Sequence, residues 1–381
     1  MITKIKCDGI VTPSGILGGY LYAADGRITE ISGINKPADI EYDYTGSYLM
    51  PGFIDIHTHG AGGHPFLTEQ AEVVATACDF HLKHGTTTIL PTLSASPIDI
   101  MEKSVAAIKA ARDRGLTKAN IVGAHLEGPY LSADQCGAQC PDFITPPIAD
   151  EYVPLVEKYG DAIARWTYAP ENDDGNFAKF LAGKGIIASA GHTNAKYPDM
   201  DTAVANGCNL ITHLYSCTST VTRSMGFRSL GVIESAFLRD ELNVELIADG
   251  KHLPRELVQM IVKIKGVDQV AAVTDSLYPA GTDLKEGCTD GVSFIVEGGV
   301  CRLPDRSAFA GSIATADRLL QVLHRDCGIA LIQAVKMLTA VPARIMGLDV
   351  GVIAQGRPAD LVLLDENLQA RDVFVGGKKV S

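Results

Sequence analysis

From residue 53 onward, short runs that are apolar on both faces alternate with longer runs in which apolar residues recur every three or four positions. FIDIH (53–57) opens the series and is followed by a helical stretch near 68–84. TTTILP (86–91) precedes a helix near 97–114, IVGAHL (121–126) one near 148–159, and ARWTYA (164–169) a short one near 174–183. IIASAGH (186–192) leads into 199–206, NLITHL (209–214) into 230–240, and NVELIA (243–248) into 254–265, with QVAAVTD (269–275) as the last strand. Strands of this kind belong to parallel sheets covered by helices. Eight of them predict a closed (β/α)8 TIM barrel. The competing architecture is an open doubly wound sheet, which would place a phosphate-binding glycine turn after its first strand; the chain has HTHGAGGHP there.

The two ends read differently. GILGGYLYAADGRITEIS at the front and GVIAQGRPADLVLLD at the back are short strands and turns. Neither end carries enough apolar surface for its own core, so residues 1–48 and 345–381 are expected to pair as one small β-sandwich domain beside a barrel of residues 49–344. Segment 280–310, rich in glycine and β-formers, reads as a hairpin inserted after strand eight.

Composition narrows the function. The 381 residues are 46% hydrophobic and 20% charged, as in a soluble globular protein, and the formal charge of −12 argues against non-specific binding to nucleic acid or anionic membranes. The start, MITKIKCDGIVTPSG, does not have the form of a signal peptide, and no apolar run reaches membrane-span length. Nine irregularly spaced cysteines are expected to be reduced thiols of a cytoplasmic protein. Cys136 and Cys140 look like half a zinc site, but no second pair follows at ligand spacing, so ordinary thiols are expected.

The polar residues carry the chemistry. His57 and His59 follow strand one, Glu127 closes strand three, His192 strand five and His213 strand six, His252 follows strand seven, and Asp275 ends strand eight. Taken singly each has a plainer explanation: a satisfied turn for the HxH, a buried ion pair for Glu127, helix capping for His192, His213 and Asp275. Together they mark one rim, the end of a barrel from which reactive groups converge. Imidazoles and carboxylates suit Zn²⁺ or Fe²⁺, with an open position left for water. Asp275 would then accept a proton from water and return it to a leaving nitrogen.

On these residues the chain resembles the N-acetylglucosamine-6-phosphate deacetylase family of the amidohydrolase superfamily. The matching runs include PGFIDIHTHG (51–60), HGTTTILPT (84–92), GAHLEGPYL (123–131), SAGHT (189–193), THLY (212–215), VELIADGKHL (244–253), VTDSLYPAG (273–281), AGSIATAD (310–317) and GRPADLVLLD (356–365). The resemblance implies a barrel with a small β-domain from both termini. It implies Glu127, His192 and His213 as metal ligands, Asp275 as the catalytic aspartate, and His57 and His59 as ligands of a second metal. It also implies a homodimer in which Arg228 reaches the sugar phosphate, and His252, Ala138 and Gln139 near the substrate.

The chain departs from the family in three places. Gln139 stands where the family has a histidine near the acetyl carbonyl, and an amide can donate there but carries no charge. Ser216 and Cys217 replace an Asn-Ala pair that helps to hold phosphate and sugar. His64 is unusual in its turn and is expected to cap or to face solvent. The expected substrate is N-acetylglucosamine 6-phosphate, with N-acetylgalactosamine 6-phosphate or another N-acyl compound open because of Gln139, Ser216 and Cys217. A non-catalytic barrel is the reading from a different class.

Overall fold

Strands buried on both faces and helices buried on one set the architecture. The computed structural model describes residues 1–289 and 291–381. Eight parallel strands are hydrogen-bonded in chain order: Phe53–Thr58, Thr86–Leu93, Ala124–Glu127, Ile163–Tyr168, Ile187–Ala190, Leu210–Ile211, Asn243–Ile247 and Val270–Val273. Every residue of Phe53–Thr58 and Thr86–Leu93 is buried. The eighth strand returns to the first, because Asp275 N–H donates to the His57 carbonyl (2.9 Å) and His59 N–H to that of Ser276 (2.8 Å). The architecture is a (β/α)8 barrel.

Helices fill each crossover, from Ala71–Lys83 and Ile98–Asp113 to Arg255–Lys265. Ile98–Asp113 shows why they form: Met101, Val105, Ile108 and Ala111 share one stripe and are buried against the strands. A second apolar cluster joins Ile54, Leu90, Leu210 and Val273 of the strands to Val341 and Ile345 of Ala340–Ile345.

The termini contribute Ile2–Thr12, Gly15–Ala24, Arg27–Ser32 and Ile40–Pro51, together with Leu361–Leu364, Ala370–Val375 and Lys378–Lys379, to one seven-stranded sheet. The central strands Ile2–Thr12 and Ile40–Pro51 are longer than the short pieces the sequence suggests. Side-chain alternation splits this sheet cleanly. Leu49, Leu361 and Leu363 face a core of its own with Ile5, Cys7 and Phe374, while Met50, Val362 and Leu364 join the barrel's core.

The insertion is more than the expected hairpin. Glu286–Thr289, Val292–Glu297, Val300–Arg302 and Phe309–Ser312 form a four-stranded antiparallel sheet. Phe294 and Cys301 bury against Leu277, and Ser312 N–H donates to the Asp275 carbonyl (2.8 Å), which ties the sheet to the barrel rim.

Candidate active site

The strands that build the site deliver its polar residues close to their C-terminal ends. Glu127 is the final residue of its strand, while His192, His213 and Asp275 lie two residues beyond theirs. Those last three adopt positive φ values of 47°, 27° and 47°. Left-handed backbone is strained for these side chains and clusters at functional sites.

The side chains meet. Glu127 Oε1 lies 3.0 Å from His213 Nε2, 3.2 Å from His192 Nε2 and 3.4 Å from His57 Nε2, and its Oε2 is 3.2 Å from His59 Nε2. His192 and His213 bring their Nε2 atoms within 3.2 Å of each other, and His57 and His59 within 3.3 Å. Asp275 Oδ1 stands 3.3 Å from His59 Nε2 and 3.5 Å from His57 Nε2. The other ring nitrogens are occupied elsewhere: Nδ1 of His57 faces Glu245 Oε2 (3.4 Å), that of His59 Ser94 Oγ (3.2 Å), and that of His192 the Gln135 carbonyl (2.9 Å). His213 Nδ1 is buried without a hydrogen-bond partner among the described residues.

This arrangement fits a divalent cation. Two ligand atoms held tetrahedrally at about 2.0–2.1 Å from one ion stand about 3.3 Å apart, which is the spacing seen among these nitrogens and oxygens. His57, His59 and Asp275, and separately His57, Glu127 and His213, each bring their ligand atoms within 4.8 Å of one another. The electrostatics also call for positive charge. Burial disfavours a charged imidazole, yet Glu127 and Asp275 raise His57 to about 10. Burial would push the Glu127 carboxyl up, but His57 and His192 hold it well below the usual carboxylate range. Asp275 is likewise held low, by His57 and His59 against burial.

A cavity of about 270 Å³ opens above the cluster. Ala138, Gln139, Ser216, Cys217 and His252 line it, as do Phe309 and Gly311 of the inserted sheet. His252 is oriented by Asp249, whose Oδ2 accepts from its Nδ1 (2.9 Å). Gln139 departs from the expected acyl-oxygen donor in one respect: its amide N–H donates to Glu127 Oε2 (2.7 Å) and its oxygen accepts from Ala95 N–H (2.8 Å). One amide hydrogen already serves the carboxylate.

One predicted substrate-binding residue is not brought to this cavity. Arg228 is exposed on the hairpin Thr222–Ser229, where its guanidinium donates to the Gly226 carbonyl (3.2 Å). His64 is half-buried and pairs across a tight turn with Ala61. Cys136 and Cys140 flank the Ala138–Gln139 turn and enter no metal-holding group among the described residues.

The sequence reading passed over Glu245 and Arg165, both fully buried and paired with each other beneath His57. Their signal was present: opposite charges inside strands otherwise buried on both faces must find partners. His125 was missed as well. It sits between Thr92 Oγ1 (3.1 Å) and Thr167 Oγ1 (2.7 Å), inside the barrel.

Comparison with known proteins gives the family and the fold. Residues 48–380 match the model of the amidohydrolase family. The chain is 30% identical over 379 residues to the N-acetylglucosamine-6-phosphate deacetylase of Haemophilus influenzae, covering 97% of both chains. It is 29% identical to the N-acetylgalactosamine-6-phosphate deacetylase of a Shewanella species, over 88% of this chain and 84% of that one. The crystal structure of N-acetylglucosamine-6-phosphate deacetylase from Pasteurella multocida superposes with a TM-score of 0.93 at 27% identity, with complete coverage of both chains.

Proposed function

The chain belongs to the amidohydrolase family, and from that premise we propose that it hydrolyses the acetamide of an N-acetylated hexosamine 6-phosphate, giving the free amine and acetate. N-acetylglucosamine 6-phosphate is the substrate of first choice. The observation that carries the reading is the convergence of four imidazole Nε2 atoms and two carboxylates at 3.0–3.5 Å below an open cavity.

Glu127, His192 and His213 are assigned to one divalent cation, with Zn²⁺ preferred over Fe²⁺, and His57 and His59 are available for a second. A bound cation supplies Lewis acidity, polarising the amide carbonyl and acidifying water from 15.7 toward about 7. Asp275 is a carboxylate at neutral pH because the neighbouring imidazoles keep it ionised. It accepts the proton of the attacking water and then gives it to the nitrogen, which cannot leave as an anion. Gln139 steadies Glu127, His252 faces the cavity to orient the sugar, and Ala138, Ser216 and Cys217 form its wall.

Arg228 lies outside its own chain's cavity, beside Met225 and Phe227, which are 95% and 81% exposed. We therefore propose a homodimer in which this hairpin reaches the partner's cavity and the planar guanidinium holds the phosphate. Among the described residues no helix is long and apolar enough to cross a membrane; the cytoplasmic setting we propose rests on the cysteines, which are free thiols.

A second substrate reading, N-acetylgalactosamine 6-phosphate, draws on the Shewanella relative and on Ser216 and Cys217 in the wall. Acetate release from a panel of N-acetylated sugars, with and without the 6-phosphate, after reconstitution with Zn²⁺ or Fe²⁺, separates the readings. Release from no member of the panel would remove the deacetylase assignment. Equal rates on free and phosphorylated sugars would remove the role given to Arg228.

A further inference from the structure

Beneath the cluster, Glu245 of strand Asn243–Ile247 and Arg165 of strand Ile163–Tyr168 are wholly buried, at 0% exposure each. They form a two-point pair: Arg165 Nη2 donates to Glu245 Oε2 at 2.9 Å, and Nη1 donates to Oε1. Burying both ions forfeits their hydration, and apolar residues of similar volume are often as stable or more so. Stability is thus a poor explanation for the pair, and its remaining contacts point to another use.

Apart from Arg165 Nε, which donates to Ser189 Oγ (3.0 Å), those contacts converge on the two histidines above. Glu245 Oε2 faces His57 Nδ1 and the backbone N–H of His213, both at 3.4 Å. Arg165 Nη1 donates to the Ile56 carbonyl (3.3 Å) and Nη2 to Thr212 Oγ1 (2.7 Å), the residues that immediately precede His57 and His213. A carboxylate accepts and cannot donate. His57 therefore carries a hydrogen on Nδ1, and in the neutral ring that a cation requires, the Nε2 lone pair faces the space between His59 Nε2 (3.3 Å) and Asp275 Oδ1 (3.5 Å).

Resting on the reading of the cluster as a cation site, we propose that Arg165 and Glu245 are positioning residues for His57. By fixing its ring and tautomer they make the corner formed by His57, His59 and Asp275 a site for a second divalent cation, beside the one at Glu127, His192 and His213. Single substitutions would strand a buried charge, so both charges are removed together. R165M/E245L leaves two apolar side chains of similar size, and R165M/E245Q returns a hydrogen-bond acceptor to His57.

The full chain, stripped of metal and titrated with Zn²⁺, is read by elemental analysis and calorimetry. The parent binds two ions. R165M/E245L keeps the first with its parental affinity and holds the second about 10–100-fold more weakly, and R165M/E245Q recovers a measurable part of that loss. Long-range ¹H–¹⁵N NMR of the Zn²⁺-loaded parent reports the His57 hydrogen on Nδ1, a readout that needs no variant. A parent that takes up a single ion, a leucine variant with parental affinity for both ions, or a hydrogen found on Nε2 would each overturn the proposal while leaving the deacetylase reading intact. Failure of that reading looks different: no bound ion and no acetate release in the parent.

Discussion

At the scale of single residues, the geometry separates the side chains that hold the first cation from the one that moves protons. Asp275 reaches only His57 and His59 within the cluster, at 3.5 and 3.3 Å, whereas Glu127 touches all four imidazoles. Asp275→Asn should therefore keep the cation held by Glu127, His192 and His213 and lose turnover by about 10²–10⁴-fold, the usual worth of a general acid–base group. Elemental analysis beside acetate release checks both halves; undiminished turnover would put the proton transfer elsewhere. Gln139→Ala removes a hydrogen bond of 2.7 Å from Glu127 and should weaken cation binding about 10–100-fold. If Gln139 instead served only the acyl oxygen, that variant would bind metal like the parent and lose kcat alone. These residues were readable as types at strand ends. That Gln139 spends an amide hydrogen on Glu127 was not, because the contact joins a loop to a strand twelve residues away by way of Ala95.

Elements explain how the rim is held. Asp317, at the start of Ala316–Gln321, accepts from Thr315 Oγ1 (2.5 Å), Arg318 N–H (3.0 Å) and Ala370 N–H (3.2 Å), tying the helix to a strand of the terminal sheet. Burial alone would raise its carboxyl, but His84 and these bonds bring it below the ordinary value. A depressed folded pKa means that its stabilisation is complete above the unfolded value of about 3.9 and is lost as pH falls through the folded one. Thermal melts between pH 7 and pH 3 should show Asp317→Asn with a flatter acid limb than the parent; parallel curves would assign the acid sensitivity to other groups. The inserted sheet offers a second test. Phe294 is 2% exposed and packs with Leu277 and Cys301, so Phe294→Ala should cost about 3–5 kcal/mol locally and open segment 286–312 to proteolysis before the barrel. Cleavage appearing first in the barrel would contradict this. A hairpin was the natural expectation for this stretch. Its growth to four strands depends on Leu277 and the Asp275 carbonyl, which lie on the rim rather than in the insert.

For the whole molecule, the open question is where Arg228 works. An exposed hairpin with Met225 and Phe227 at its tip is costly in a monomer and ordinary at a subunit contact. Light scattering should return twice the mass of one 40.4 kDa chain. Arg228→Ala should raise KM for phosphorylated sugars with kcat nearly unchanged. Mixing it with Asp275→Asn should restore activity, because a mixed dimer contains one cavity with both residues intact. A monomer in solution, or no recovery on mixing, would return Arg228 to an ordinary surface role.

The order of strands and helices, the rim residues and the pairing of the two ends were legible in the chain because they follow from local periodicity and from residues placed at strand ends. A strand's apolar pattern and the position of its last residue are properties of a few consecutive amino acids. Three features were decided only in three dimensions. Arg165 and Glu245 stand 80 positions apart and neutralise each other under His57, the insert becomes a wall of the cavity, and Arg228 lies outside its own chain's cavity. Each depends on which distant segments share a space, and local preference carries no information about that. Closing the barrel supplies it, by bringing the ends of eight strands to one place where buried charges must find partners or go unpaired.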